Sequence, residues 1–297
     1  MLARMPAPVF GRLLTAMVTP LAPDGSLNLD EAKRLASHLV DEMHNDALVI
    51  NGTTGESPTT DDHEKLLLLE AVKEAVGDRA LILAGVGTNE TAATIKRSRD
   101  AVSAGCDGLL VVTPYYSKPP VDALYEHFVM VADATELPIM LYDIPGRSGI
   151  PIPEAVIIAL AEHPRIVAVK DAKGDIVSSS RIMARTDLAY YAGDDAMTLP
   201  LLSVGGVGVV GTSTHFTGAR TKELIEAFVA GDAARALAVH RELLDVYTGV
   251  FATQGCMLVK AGLEARGFVP GGLRRPLKPA SDAQATEFVA LLDAAGL

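Results

Sequence analysis

The chain has 297 residues, 49 % of them hydrophobic and 5 % aromatic with no tryptophan, and a formal charge of -11. That is the composition of a globular chain with ample core, and its acidic balance argues against a nucleic-acid or anionic-membrane surface. No apolar run approaches the roughly 18 residues a bilayer crossing needs. The opening MLARMPAPVFGRLL lacks the apolar stretch and cleavage site of a secretory leader, and Cys106 and Cys256 stand far apart in unrelated contexts, so a cytoplasmic protein without a disulfide framework is expected.

The first short apolar run, LLTAMVT, is followed by LDEAKRLASHLVDEM, a helical pattern starting behind Asn28 and Asp30. ALVING comes next, then DDHEKLLLLEAVKEAV, in which Asp61 and Glu64 have capping-box spacing. LILAGVG precedes NETAATIKRSRDAVSAG, a helix closing on glycine. GLLVVTP, PIMLYD, IVAVKD, LAYYAGD and VGVVGT complete the series, with helical segments near 122–136, 153–162, 175–186 and 195–204 between them. These runs are continuously apolar rather than alternating, as parallel strands covered on both faces require. Eight strand–helix alternations over about 220 residues predict an α/β fold, a (β/α)8 TIM barrel, in preference to a doubly wound sheet. Beyond GTSTHFTGAR only helical patterns remain: TKELIEAFVAG, DAARALAVHRELLDVYTGVF, GCMLVKAGLEARG and ASDAQATEFVALLDAAG. The expected organisation is a barrel carrying the active site over residues 1–220 and a C-terminal helical region over 221–297.

In such a barrel the working residues stand where strands run out into loops. Those positions carry Thr19, NGTTGES, GTNE, TPYY, YDIPGRSG, Lys170-Asp171, GDD and GTSTH. The set contains no grouping of His, Cys or acidic residues at ligand spacing, and the seven histidines are scattered, so no metal is expected. Other lysines, such as Lys33, Lys73 and Lys96, fall in helical patterns and read as solvated, whereas Lys170 ends the buried run IVAVK. It reads either as a structural ion pair with Asp171 or Asp194, or as a desolvated amine able to form a Schiff base with a ketone. The second alternative calls for a proton shuttle, for which Tyr142 with Thr53 and Tyr116 is suited, and for an anion site. The GTTGE hydroxyls and N–H groups, or Arg147, could supply that site. GVGVVG, Gly206 to Gly211, matches a dinucleotide-binding spacing, but its glycines fall inside a predicted strand followed by a loop, TSTHFTG, so no nucleotide site is expected.

GTTGES, TPYYSKP, YDIPGRSG, VKDAKG and GDD, in this order and at these intervals, resemble the 4-hydroxy-tetrahydrodipicolinate synthase (dihydrodipicolinate synthase) family, actinobacterial members above all, over nearly the whole chain and least after about residue 245. The resemblance implies condensation of pyruvate with L-aspartate 4-semialdehyde, the committed step toward diaminopimelate and lysine, with no cofactor beyond the covalent imine on Lys170. It implies that Lys170 forms the Schiff base and that Tyr142 relays protons in a hydroxyl triad with Thr53 and Tyr116. Tyr116 would come from a neighbouring subunit of a homotetramer, a dimer of dimers. Thr54 and Val210 (a frequent Ile in the family) would contact pyruvate, Arg147 would receive the aldehyde substrate's carboxylate, and the Gly193 backbone would face substrate. The sister N-acetylneuraminate lyases and 2-keto-3-deoxy sugar-acid aldolases usually lack the arginine and often have Ser-Thr at Thr53-Thr54. A non-catalytic keto-acid-binding barrel would be expected to have lost Lys170 or the triad first. Lysine-inhibited members carry histidines at the positions of Asp62 and Lys65 and a glutamate at that of Ala93. Tyr115, Asn89 and Ser57 are retained, and weak lysine feedback is expected.

Overall fold

The computed structural model describes residues 7–297, so the first six residues of the stretch read against a secretory leader lie outside it. Eight strands alternate with helices: β1 (Leu13–Ala16), α1 (Leu29–Asp41), β2 (Ala47–Ile50), α2 (Asp62–Val76), β3 (Leu81–Gly85), α3 (Thr91–Ser103), β4 (Gly108–Val112), α4 (Val121–Asp133) and β5 (Ile139–Asp143). There follow α5 (Pro145–Ser148), α6 (Glu154–Leu160), β6 (Ile166–Asp171), α7 (Ile176–Met183), β7 (Ala189–Ala192), α8 (Thr198–Ser203), β8 (Gly208–Gly211) and α9 (Thr214–Val229). The chain ends with α10 (Ala233–Gly249), α11 (Gly255–Ala265) and α12 (Asp282–Ala294). The strands pair in sequence order, all parallel, and β8 closes on β1. This is the predicted (β/α)8 barrel.

Two apolar layers hold it. Leu14, Val49, Leu83, Leu110, Met140, Tyr142, Ala168, Tyr191 and Val210 fill the inside of the barrel. Leu13, Leu48, Ile82, Leu109, Leu141, Val169, Tyr190 and Val209 face outward to the helices. The two-residue period of a strand makes this division, and it sends Tyr142 and Lys170 inward while Asp143 and Asp171 point to the helix layer. Closure depends on Gly208, where a Cβ would stand 1.9 Å from the Arg12 carbonyl oxygen.

Expected caps are in place. Asn28 accepts from the Glu31 N–H, and Asp61 and Glu64 form the reciprocal capping box. Two expectations change. TSTHFTG is not a loop: α9 opens at Thr214, with only Thr212 and Ser213 between it and β8. Its Ser/Thr-rich start has poor intrinsic helix propensity, but the first turns are buried and their hydroxyls are satisfied internally, Thr217 by Ser213 and Thr221 by Tyr247. A helix therefore does follow the glycine run, but the dinucleotide motif fails on its glycines, Gly208 and Gly211 being strand residues, and on the lack of any further strand after β8 among the described residues. Position 220/221 consequently falls inside α9, and the barrel's last helix continues to Val229.

Solvation of the helical lysines is the second. Lys65 on α2 and Lys260 on α11 are as buried as Lys170.

Candidate active site

Tyr142 and Lys170 are paired across the β5–β6 ladder, at the end where the strands give way to loops. Lys170 is 5 % exposed, and its Nζ lies 4.3 Å from the centroid of the Tyr142 ring. The structural ion pair is not formed. Asp171 instead accepts from the Lys173 N–H at 2.9 Å and from the Ser179 hydroxyl, and Asp194 accepts from Ala196 N at 3.0 Å. Behind the ladder Asp143 accepts from Ile152 N at 3.0 Å, and Lys173 Nζ stands 3.6 Å from its other oxygen. Burial pushes the Asp143 carboxyl up to about 6. These outward carboxylates tie the ends of β5 and β6 and leave Lys170 without a counter-ion among the described residues.

The NGTTGES segment turns sharply after β2. Asn51 and Glu56 both take left-handed backbone, and the turn closes through Gly55 N to Gly52 O and Glu56 N to Thr53 O, each 3.1 Å. Among the described residues no acceptor is bound by the N–H groups of Thr53 and Thr54, so two adjacent donors are presented together. Thr54 is buried with its hydroxyl 3.4 Å from that of Thr212, while Thr53 is exposed.

Thr53, Tyr116, Tyr142 and Arg147 line one cavity of about 650 Å³, with Leu110 and Val112 as its apolar wall. Thr54 lines a smaller adjoining cavity of about 310 Å³ together with Thr53 and Arg147. Lys170 meets the group through the Tyr142 ring. Val210 is fully buried in the barrel interior, and Gly193 follows β7 with its N–H on Asp171 O at 2.7 Å; neither lines either cavity. A Cβ at Gly193 would lie 2.8 Å from that of Ala172, so this strand-end approach needs glycine. Tyr142, Thr53 and Tyr116 share the cavity without a hydrogen bond linking their hydroxyls within the one chain. A further tyrosine, Tyr191, is unavailable, its hydroxyl accepting from Phe10 N and donating to Gly11 O.

Tyr116 is the most unusual of these residues. It has φ +71°, Ser117 N donates to Tyr115 O at 2.8 Å across it, and its side chain is 89 % exposed. This is a γ-turn of the strained hand displaying a large ring to solvent.

Sequence reading missed the contribution of the C-terminal helices. Arg147 Nη1 donates to Gln254 Oε1 at 3.0 Å, and Phe251, Gln254 and Cys256 complete the smaller cavity. Nothing in the sequence signals Gln254. Lys65, on α2 beyond the NGTTGES turn, is fully engaged by residues 57 and 60. Its ammonium donates to Ser57 O at 2.9 Å and to the Thr60 carbonyl and hydroxyl, so it does not line the larger cavity. Among the described residues, no group of three or more His, Cys, Asp or Glu is placed to hold a metal ion.

The model of the dihydrodipicolinate synthetase family matches residues 9–295. The chain belongs to this family. The match runs through the region after residue 245, where the resemblance of the sequence was least. Relatives named 4-hydroxy-tetrahydrodipicolinate synthase include that of Cutibacterium acnes, 60 % identical over 97 % of this chain and 99 % of the relative, and that of Acidothermus cellulolyticus, 59 % identical over 98 % and 94 %. The crystal structure of the Cyanidioschyzon merolae enzyme with lysine bound superposes with a TM-score of 0.95 at 40 % identity, covering 97 % of this chain and 99 % of that one. Dihydrodipicolinate synthetase membership thus rests on the full length of the chain.

Proposed function

We propose that Lys170 forms a Schiff base with pyruvate and that this chain, a lyase with 4-hydroxy-tetrahydrodipicolinate synthase activity, condenses the resulting enamine with L-aspartate 4-semialdehyde in the synthesis of diaminopimelate and lysine. The observation that carries the reading is the buried, counter-ion-free Nζ of Lys170 over the Tyr142 ring at the loop end of the barrel. Nζ adds to the ketone carbon, and the carbinolamine loses its oxygen as water when Tyr142 returns a proton to it. The protonated imine withdraws electrons from the neighbouring methyl group, which loses a proton to give the enamine. The enamine carbon then attacks the aldehyde carbon, whose oxygen takes up a proton as the iminium re-forms, and the product's own amine or water displaces Lys170 Nζ from that iminium to free the enzyme. The free N–H pair of Thr53 and Thr54 suits the pyruvate carboxylate, and Arg147 on the cavity wall suits that of the aldehyde substrate. Val210 is assigned to the pyruvate moiety and the Gly193 backbone to substrate because both lie at the same end of the barrel, although neither lines the two cavities of the single chain. The imine needs no cofactor.

The exposed Tyr116 supports an exchange of that ring between two copies, within a homotetramer built as a dimer of dimers. The cytoplasm is the proposed site of action; separately, no helix among the described residues is long and apolar enough to cross a membrane.

Borohydride in the presence of pyruvate is expected to leave a reduced adduct on Lys170, visible by mass. Turnover of both substrates, coupled to NADPH and dihydrodipicolinate reductase, is expected to vanish in Lys170→Ala. An adduct without turnover would move the sugar-acid lyase reading forward, and an unmodified mass would point to a non-catalytic keto-acid-binding barrel.

A further inference from the structure

The turn that presents the Thr53 and Thr54 N–H groups is held from an unexpected direction. Glu56 closes it, a non-glycine residue at φ +57° whose carboxylate is buried. One oxygen accepts from Lys260 Nζ at 2.7 Å, and the other accepts from Arg274 N at 3.0 Å. Lys260 in turn donates to Gly272 O at 2.6 Å. The ion-pair side chains are 3 % and 2 % exposed, and the partners lie 204 residues apart, Lys260 on α11 and Glu56 beside the substrate loop. The same C-terminal stretch reaches further along this loop, Arg274 donating to Thr59 O at 2.7 Å and to the Glu64 carboxylate. Every polar atom of the Glu56 carboxylate is therefore bound by the C-terminal region, while its backbone N–H fixes the Thr53 carbonyl.

A left-handed non-glycine residue persists where its surroundings over-determine it. Here the surroundings are the buried charge and the Arg274 N–H. Relaxing the pair frees Glu56 to leave that backbone region, which breaks its N–H bond to Thr53 and turns the Thr53–Thr54 donors. We propose that the Glu56–Lys260 pair is a positioning device for the carboxylate site, through which the C-terminal helical region sets the affinity for pyruvate. This rests on the assignment of the Thr53–Thr54 turn to the pyruvate carboxylate. The pair itself touches no substrate.

Pyruvate KM in Glu56→Gln, Lys260→Met and the double variant tests it, with the aldehyde KM, kcat and unfolding midpoint measured alongside. The expected result is a rise in pyruvate KM of at least fivefold in every soluble variant, with the aldehyde KM changed less than twofold. A merely structural pair would lower the unfolding midpoint and the yield of active enzyme while leaving pyruvate KM within twofold, and that result would overturn the proposal. The double variant leaves no unpaired buried charge, and Glu56→Asp keeps the charge while shortening its reach, so one of them reports the KM if a single variant fails to fold. Borohydride trapping of pyruvate on wild-type Lys170 separates the two levels: no adduct there sinks the Schiff-base reading itself, whereas an adduct with unmoved KM values sinks only the positioning role.

Discussion

Among single residues, Lys170 was legible because a strand has a two-residue period and a charged group at the inner end of a buried run has few uses. Lys65 was legible too, and was missed. Lys65, Leu68, Leu69, Val72 and Val76 form one buried helical stripe on α2, so the periodicity that located the helix also placed the lysine inward. Lys260 carried no such sign, because seven residues around it on α11 are buried, on every side of the helix. Periodicity cannot pick a face where all faces are covered. The proton relay proposed for Tyr142 is likewise a matter of one atom. Tyr142→Phe keeps the ring against Lys170 Nζ and removes only the hydroxyl, so kcat is expected to fall by about 10²- to 10⁴-fold, the usual worth of a positioned proton relay, while the borohydride adduct still accumulates on long incubation. A loss of less than threefold in steady-state assays would remove Tyr142 from the proton path.

Among elements, all eight strands were readable, because continuous apolar runs bounded by polar loops leave few alternatives in a parallel barrel. The start of α9 was not, since its Thr-rich first turns are helical through burial rather than through propensity. His215 in that turn joins three elements. Its Nδ1–H donates to Thr212 O at 2.8 Å after β8, and Nε2 accepts from Val18 N at 3.2 Å after β1, an arrangement only the neutral ring can make. Burial holds its pKa down to about 4. With the folded value below the unfolded one of 6.5, the stability it contributes is complete above that pH and is lost as pH falls toward 4, by an amount on the order of 3 kcal/mol. Buried His127, also held near 4, acts in the same direction, and Asp143, raised to about 6, acts against both. Urea unfolding at pH 7 and pH 5 is expected to show a clear acid loss in the wild type. In His215→Gln that difference should shrink by most of one proton's worth, and an unchanged difference would assign the acid sensitivity elsewhere.

At the scale of the whole molecule, one expectation concerns lysine feedback and the other what a second copy brings. The expectation of weak lysine feedback now has a structural reason. The Lys65 ammonium is turned into the 57–60 turn, and Asp62 is already bound to Arg97 Nε at 2.8 Å and Lys96 Nζ at 3.1 Å, so with alanine at position 93 none of the three offers a free carboxylate to a lysine ammonium. Half-inhibition below about 1 mM lysine, a binding free energy of about 4 kcal/mol, would show that another group supplies it. Tyr116 gives the sharper test. Its γ-turn stores strain on the order of 1–3 kcal/mol in order to display a ring that nothing in its own chain covers, an expense that a partner's site would offset. If two copies exchange this residue, each site combines Lys170 of one chain with the tyrosine of the other. Lys170→Ala and Tyr116→Phe are each expected to be nearly inactive alone. Mixed after reversible dissociation, they form hybrid dimers in which one of the two sites has both native residues, so equal mixing should restore about a quarter of wild-type activity under two-fold symmetry. If Tyr116 served the site of its own chain, no hybrid would contain an intact site, and mixing would restore nothing.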